Sequence, residues 1–478
     1  MKPLSLILLA LLPVLAGARP ALDKPNVILV FLDDCGYGDF SHTGNPSIHT
    51  PTITRMVHEG LNFPQYYTAS PACSASRYAL LTGRNPRRSG FGTWVLSPSN
   101  GKYIHPNEVT IAEGLKNRGY ATGFFGKWHL GNPNSNNGFT TACLPLNHGF
   151  DTWEGTNVSN DYNPGADLIR SNPAGNTPVA GYEMIAEDIL NKIPIHDTLT
   201  ERYRDRAVQF IKDNKDNPFF LYVAPNMPHL PVHASDAFKG RSLRGLYGDC
   251  IEEIDAMVAS IIQTLQGEGV AENTLIHFTS DNGPWIRFEN TASHPEYGEA
   301  RLLVGSALPF RDGKGSTWEG GVRVPGVWYW PGTIAAASVV RSPASTFDVL
   351  PTVFALAGEP LPAGRTLDGR DIRPFLNPTQ WTGAVPDFEF IYTGAGDNKV
   401  YAARKGPWKL HTRLYSQTGN NYGFSASTSN PLLFNVEQDP HERFDRSPRE
   451  RNQIAILQNL INNFNTSVNT EQTFWGVP

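Results

Sequence analysis

The chain is poor in cysteine, with four among 478 residues, too few for a dense disulfide framework. It has no run of Lys or Arg, and its 45 acidic residues outnumber 40 basic ones for a formal net charge of −5. A nucleic-acid binder is not expected from that balance. The N-terminal apolar run is too short for a comfortable membrane span and carries Pro13, and no later segment is apolar for long enough to cross a bilayer, so no membrane span is expected. There is no internal repeat, which excludes solenoids and propellers. Charged residues are held to 18% against 40% hydrophobic, so the chain as a whole is not disordered. What is plentiful is Gly (44) and Pro (38), which predicts many loops. The length permits a large core, as one big α/β unit and a smaller one.

The N-terminus reads as a signal peptide over residues 1–18. Lys2 precedes an apolar run from Leu4 to Leu15, and Ala16-Gly17-Ala18 offers small residues for cleavage. No Cys stands at the cleavage site, so a lipoprotein is not expected. The mature protein is expected to be exported and soluble.

Continuous apolar runs at 26–32, 121–125, 219–224, 275–279 and 324–330 predict strands buried on both faces. Helical patterns lie between them, at 110–118, 201–212 and 246–265. The last places Ile251, Ile254, Val258, Ile261 and Leu265 on one stripe. Strands alternating with helices imply an α/β fold with a mostly parallel or mixed sheet covered on both sides. After about residue 386, short strand candidates at 388–393, 399–404, 408–413 and 432–436 predict a small antiparallel sheet, closed by a helix at 454–464. The expected division is 19–385 for the catalytic α/β domain and 386–478 for the C-terminal α+β subdomain.

Several strand ends carry chemistry, and in open α/β sheets ligands gather at those ends. Asp33-Asp34 follow the first strand; two adjacent carboxylates repel unless a cation lies between them, and oxygen ligands favour a hard ion. Asp281-Asn282-Gly283 follow another strand and offer more oxygens. Lys127-Trp128-His129 follow a third; in an extended chain Lys127 and His129 face the same way and can hold an anion and move a proton. His229 follows a fourth. Cys73 opens a predicted helix over 74–81 stopped by Gly83, where backbone N–H groups favour an anion. Arg77, one turn on, reaches the same place.

Cys73-Ser74-Ala75-Ser76-Arg77, followed by Leu80-Leu81-Thr82-Gly83-Arg84, resembles the signature of type I sulfatases, of the alkaline-phosphatase-like superfamily. The likeness extends in family order through Asp33-Asp34-Cys35-Gly36-Tyr37-Gly38, Gly126-Lys127-Trp128-His129, Ser280-Asp281-Asn282-Gly283, Gly313-Lys314-Gly315-Ser316 with Glu319-Gly320-Gly321, and Phe434-Asn435-Val436-Glu437. It implies an alkaline-phosphatase-like large mixed sheet flanked by helices. It implies that Cys73 is oxidised by a formylglycine-generating maturation enzyme to Cα-formylglycine, whose hydrate is the nucleophile. It implies one Ca²⁺ held by Asp33, Asp34, Cys73, Asp281 and Asn282, and a sulfate surrounded by Arg77, Lys127, His129, His229 and Lys314. One geminal hydroxyl then attacks sulfur, the alcohol leaves with a proton from His229 assisted by Lys314, and His129 deprotonates the second hydroxyl so that sulfate is expelled. A lone Ser or Cys lacks that second hydroxyl.

The expected activity is therefore sulfate-ester hydrolysis, with a sulfated poly- or oligosaccharide as the favoured substrate. The alternatives are a broad arylsulfatase, a phosphate or phosphonate ester hydrolase of the same superfamily, and a non-catalytic binder of sulfated glycans. Export and low Cys content fit a periplasmic or secreted enzyme better than a lysosomal one. Substrate choice is expected from loops: the segment 284–311 with Trp285, Arg287, His294 and Arg301, and the segment 153–162 with Asn157 and Asp161. Ala75 stands where many family members have Pro, which bears on the maturation system. Cys35 is either a packing residue or a disulfide partner; with Cys73 converted, at most one disulfide can form among Cys35, Cys143 and Cys250.

Overall fold

The computed structural model describes residues 24–476 except 91–94, 99–101, 133, 136–137, 140, 163, 177–179, 287–302, 395–396, 417–418, 420 and 472–474. The expected signal peptide lies outside the described residues, as do Arg287, His294 and Arg301.

The strand Asn26–Leu32 sits deep in a ten-stranded mixed sheet, parallel to Phe219–Ala224 on one side and to Thr274–Ser280 on the other. All seven of its residues are buried, which is why the run is apolar without alternation. The pleat still divides it: Val27, Leu29 and Phe31 join one core layer, and Ile28, Val30 and Leu32 the other. Ala121–Gly126 continues the parallel part beyond Phe219–Ala224. The helices Pro51–Glu59, Leu199–Asn214 and Leu246–Gly267 contribute to the layer of Ile28, and all five residues of the predicted stripe on the last are in that core. Cys73–Thr82, Ile111–Asn117 and Val349–Ala357 contribute to the layer of Val27.

The run 324–330 departs from expectation by splitting in two. Arg323–Val324 pairs with Tyr66–Tyr67 in a small three-stranded sheet, while Val327–Tyr329 runs antiparallel beside Thr274–Ser280. Pro325 has no N–H for a ladder. A Cβ at Gly326 would lie 2.4 Å from Tyr66 Cβ, so the step between sheets needs glycine there. Among the strands that were not expected, Thr152–Thr156, Leu168–Ser171 and Tyr182–Ala186 extend the far edge.

The C-terminal part is a four-stranded antiparallel sheet of Glu389–Thr393, Val400–Lys405, Trp408–His411 and Leu432–Asn435, paired in sequence order. The helix Arg451–Thr470, longer than expected, packs on it through Ile454, Leu457, Ile461 and Phe464. All four cysteines are buried and none forms a disulfide among the described residues, so Cys35 is a packing residue and not a disulfide partner. No helix among the described residues is long and apolar enough to cross a membrane.

Candidate functional site

The carboxyl ends of the central strands converge. Asp33 and Asp34 follow Leu32, and Asp281 and Asn282 follow Ser280 one strand over. Asp34 adopts φ +62°, uncommon for a residue with a side chain. It is held there by its own N–H, which donates to Asp281 Oδ1 at 3.0 Å, and by Asn282 Nδ2, which donates to Asp34 Oδ1 at 2.7 Å. Cys73 is the first residue of its helix, preceded by an extended Ala72 with no side-chain cap, so the helix presents its N–H end there. Cys73 Sγ lies 3.7 Å from Asp34 Oδ1. Lys314 arrives from a loop whose backbone is bonded to Pro284 and Pro71, through Lys314 N and Gly315 N at 2.9 and 2.8 Å.

Three carboxylates face three cations in this buried space. Arg77 pairs with Asp281 at 2.9 Å and lies 3.5 Å from Asp33, Lys127 pairs with Asp33 at 2.5 Å, and Lys314 pairs with Asp34 at 2.8 Å. Burial alone would raise the Asp33 carboxyl, but Lys127, His229, Arg77 and Lys314 hold it well below the usual range. Asp281 goes the other way, pushed up by burial and then by the charge of Asp33. Two carboxylates driven apart in this manner are like charges sharing one buried space. Asp33 Oδ1 and Asn282 Oδ1 are buried without a hydrogen-bond partner among the described residues, which leaves two oxygens for an ion. Ligand atoms of Asp33, Asp34, Cys73 and His229 all lie within 4.8 Å of one another. His229 Nε2 already receives a hydrogen bond from Lys314, so oxygen donors remain, and they suit a hard cation.

The two histidines are set oppositely. His229 Nδ1 lies 2.7 Å from the Leu230 carbonyl and must donate to it, leaving Nε2 to accept from Lys314 Nζ at 3.2 Å. His129 Nε2 donates to the Leu96 carbonyl at 2.8 Å, leaving Nδ1 bare, buried and unpartnered among the described residues. Burial lowers both rings, with Lys127 adding to the effect on His129 and Lys314 on His229, which favours the neutral imidazole in each. Burial also pushes the Cys73 thiol well up, against Lys127 and Lys314.

Lys127 and His129 do reach the site, though not as neighbours on an extended strand. The strand ends at Gly126, and His129 turns at φ +55° while Trp128 packs into the core. Of the loop candidates, Asn157 is a structural residue: its amide donates to Asn132 Oδ1 and the Gly165 carbonyl, and its oxygen accepts from Val158 and Asp167 N–H. Asp161 keeps one buried oxygen without a partner. Trp285 stands edge-on to His229 at 5.4 Å, with Lys314 Nζ 4.5 Å from its ring centre. One residue escaped the sequence reading. Ser159 Oγ accepts from Lys127 Nζ at 3.1 Å and lies 3.4 Å from His229 Nε2. A serine inside Asn157-Val158-Ser159-Asn160 carries no signal by itself.

A family model described as Sulfatase matches residues 25–359. N-acetylgalactosamine-6-sulfatase of Mus musculus is 37% identical over 475 residues, covering 92% of this chain and 85% of that protein. Arylsulfatase A of Homo sapiens is 38% identical over 462 residues, covering 92% and 86%. Among solved structures, the PsFucS1 sulfatase from Pseudoalteromonas sp. superposes with a TM-score of 0.79 at 27% identity, covering 94% of this chain and 91% of that one. Ps i-CgsB in complex with k-i-k-neocarrahexaose gives 0.72 at 27% identity, covering 94% of both chains.

Proposed function

The chain belongs to the sulfatase family and is a sulfuric ester hydrolase; on that footing we propose that it desulfates a poly- or oligosaccharide, using formylglycine made from Cys73 and one Ca²⁺. The observation that carries this is the gathering, in one dry site, of Cys73 at a helix start with three carboxylates, three cations and two oppositely set histidines.

The donor set fits calcium. Asp33, Asp34, Asp281, Asn282 and residue 73 would hold it, and the unpartnered oxygens of Asp33 and Asn282 are the first argument for that. The carboxylates and cations balance, so a divalent ion gives the site the net positive charge an anionic ester needs. When bound, calcium supplies that charge against the sulfate oxygens. The hydrate of formylglycine supplies two hydroxyls on one carbon, one to attack sulfur and one through which sulfate is later released. A thiol pushed up by burial is a poor nucleophile, which favours the converted residue over Cys itself.

Arg77, Lys127 and Lys314 hold the sulfate oxygens as charge develops on them. Lys314 and His229 share a proton along their 3.2 Å contact and deliver it to the departing oxygen. His129 Nδ1, the bare acceptor, takes a hydroxyl proton at residue 73. Ser159 fixes Lys127 and faces His229. Trp285 offers a ring to the sugar and Asp161 an acceptor; Arg287 stands two positions after Trp285 in the sequence. A relative named for N-acetylgalactosamine-6-sulfatase activity and a structural neighbour solved with k-i-k-neocarrahexaose support a carbohydrate substrate. The protein is proposed to be exported to the periplasm or beyond by residues 1–18, to be matured by a formylglycine-generating enzyme, and to consist of a catalytic domain at 19–385 and a subdomain at 386–478.

The test is sulfate release from 4-nitrophenyl sulfate and from a panel of sulfated oligosaccharides, before and after chelation. Chelation is expected to abolish release and Ca²⁺ to restore it. Undiminished turnover in rigorously metal-free protein would remove the metal assignment, and preference for matched aryl phosphate would make the enzyme a phosphatase.

A further inference from the structure

Lys314 stands on a loop that has little stiffness of its own. Gly313, Gly315, Gly320 and Gly321 crowd it, and a Cβ at Gly313, Gly320 or Gly321 would fall within 2.3 Å of a backbone oxygen. Such a loop can fold this tightly only with glycine, and glycine leaves it entropically costly to hold. Something outside must fix it.

The C-terminal sheet supplies the anchor. Glu319 opens the short helix Glu319–Val322, five residues after Lys314, and is fully buried. Its Oε1 accepts from Lys409 Nζ at 2.9 Å, and its Oε2 from Tyr67 OH at 2.6 Å and Arg323 NH1 at 3.2 Å. Lys409 also pairs with Glu442 Oε1 at 3.2 Å, which in turn accepts from His411 Nε2 at 2.7 Å. The other oxygen of Glu442 accepts from the backbone N–H of Glu319 at 2.7 Å, closing the circuit on the loop. Trp318, next in line, lies against His411 at 4.6 Å and Phe434 at 5.8 Å. On its far side the loop is tied to the metal-facing turn, where Gly283 N–H donates to the Gly321 carbonyl at 2.9 Å.

We infer that the buried Glu319–Lys409–Glu442–His411 chain is a positioning device: the C-terminal sheet uses it to hold the Lys314 loop so that Lys314 and His229 meet the leaving oxygen. Lys409 is the cation between two buried carboxylates, one on the Lys314 loop and one on the C-terminal part. Removing the charge of either carboxylate leaves Lys409 with one buried partner in place of two and loosens the tie between loop and sheet, so that the loop relaxes toward water. A displacement of about 1 Å at a reacting group can cost on the order of a hundredfold in rate. The inference rests on the proposed action of Lys314 at the leaving oxygen.

The experiment uses full-length matured enzyme and a series of substituted phenyl sulfates, from 4-nitrophenyl to 4-methylphenyl, which differ in leaving-group pKa and little in shape. An assisted departure makes kcat/KM insensitive to that pKa; loss of assistance steepens the dependence. Glu319→Gln keeps the side chain's shape and removes its charge. It is expected to cost on the order of tenfold more at the 4-methylphenyl end than at the 4-nitrophenyl end, a fraction of what a full general acid contributes. A merely structural role would lower the active fraction and so reduce all esters equally. Equal losses, or none, overturn the inference. Glu442→Gln is measured in the same way; if neither variant yields folded protein, the chain is a folding element and the inference also fails. Lys314→Ala is the separate control. If it leaves the dependence unchanged, the proposed action of Lys314 is wrong; if it steepens the dependence and the Glu variants do not, the positioning claim alone is wrong.

Discussion

Asn157 and Ser159 sit two residues apart on one loop, both buried, and play different parts. Asn157 directs its side-chain hydrogen bonds to Asn132 and to its own loop, whereas Ser159 directs its hydroxyl at Lys127 and His229. Ser159→Ala is expected to lower kcat/KM roughly ten- to a hundredfold, the worth of a hydrogen bond to a charged group, with little change in stability. Asn157→Ala is expected to destabilise the fold by about 1–3 kcal/mol through the N–H and C=O groups it leaves unpaired, with turnover per folded molecule kept. Steady-state kinetics and urea titration of the two variants separate these outcomes, and an exchange of the two phenotypes would contradict the assignment. Nothing in the residue types told the two apart. Asp33, Asp34, Lys127 and Asp281 were legible because each follows a buried strand, and Arg77 because it lies one turn into a helix, whereas Lys314, on a loop, was legible only through the family resemblance. Ser159 was not, since its role depends on Lys127, 32 residues earlier, and on His229, 70 residues later.

At the scale of single elements, sequence was most informative where burial was most complete. The strand Asn26–Leu32 is apolar throughout because both its faces are covered, and the helix Leu246–Gly267 shows its stripe because one face is. The strand Tyr182–Ala186 at the sheet's edge and its neighbour Leu168–Ser171 are short and only partly buried, so neither carries a long continuous apolar run. The helix Ile111–Asn117 has a complete capping box, with Glu113 accepting from Thr110 N–H at 2.7 Å. Burial pushes the Glu113 carboxyl up to about 7, and the hydrogen bonds from Thr110 offset only part of that. Its folded pKa thus exceeds the unfolded value of about 4.3, and the native state binds the extra proton between the two. The stabilisation is full below the unfolded value and is lost as pH rises through about 7. Between pH ~5 and ~8 the native protein is expected to lose about 2 kcal/mol more than Glu113→Gln in urea titrations. The same pH dependence in both proteins would contradict the shift.

The molecule as a whole is held across its two sheets by buried charge and by rings. Tyr67 packs on Phe388, Phe390 and Tyr392, beside the Glu319–Lys409–Glu442 chain. The sequence division near 385 marks a change of sheet, yet parting the two would break the buried Glu319–Lys409 pair and leave each charge less well compensated. One calorimetric unfolding transition is therefore expected, and two resolved transitions would show that the sheets unfold independently. The most direct measurement of the chemistry is the mass of the full-length protein in its active fraction, with the peptide carrying residue 73 analysed alongside sulfate release. Formylglycine catalysis predicts that turnover rises in proportion to the fraction in which the Cys73 thiol has lost sulfur and two hydrogens and gained one oxygen, and that Cys73→Ala is folded and inert. A fully active preparation in which residue 73 is unmodified cysteine would contradict it.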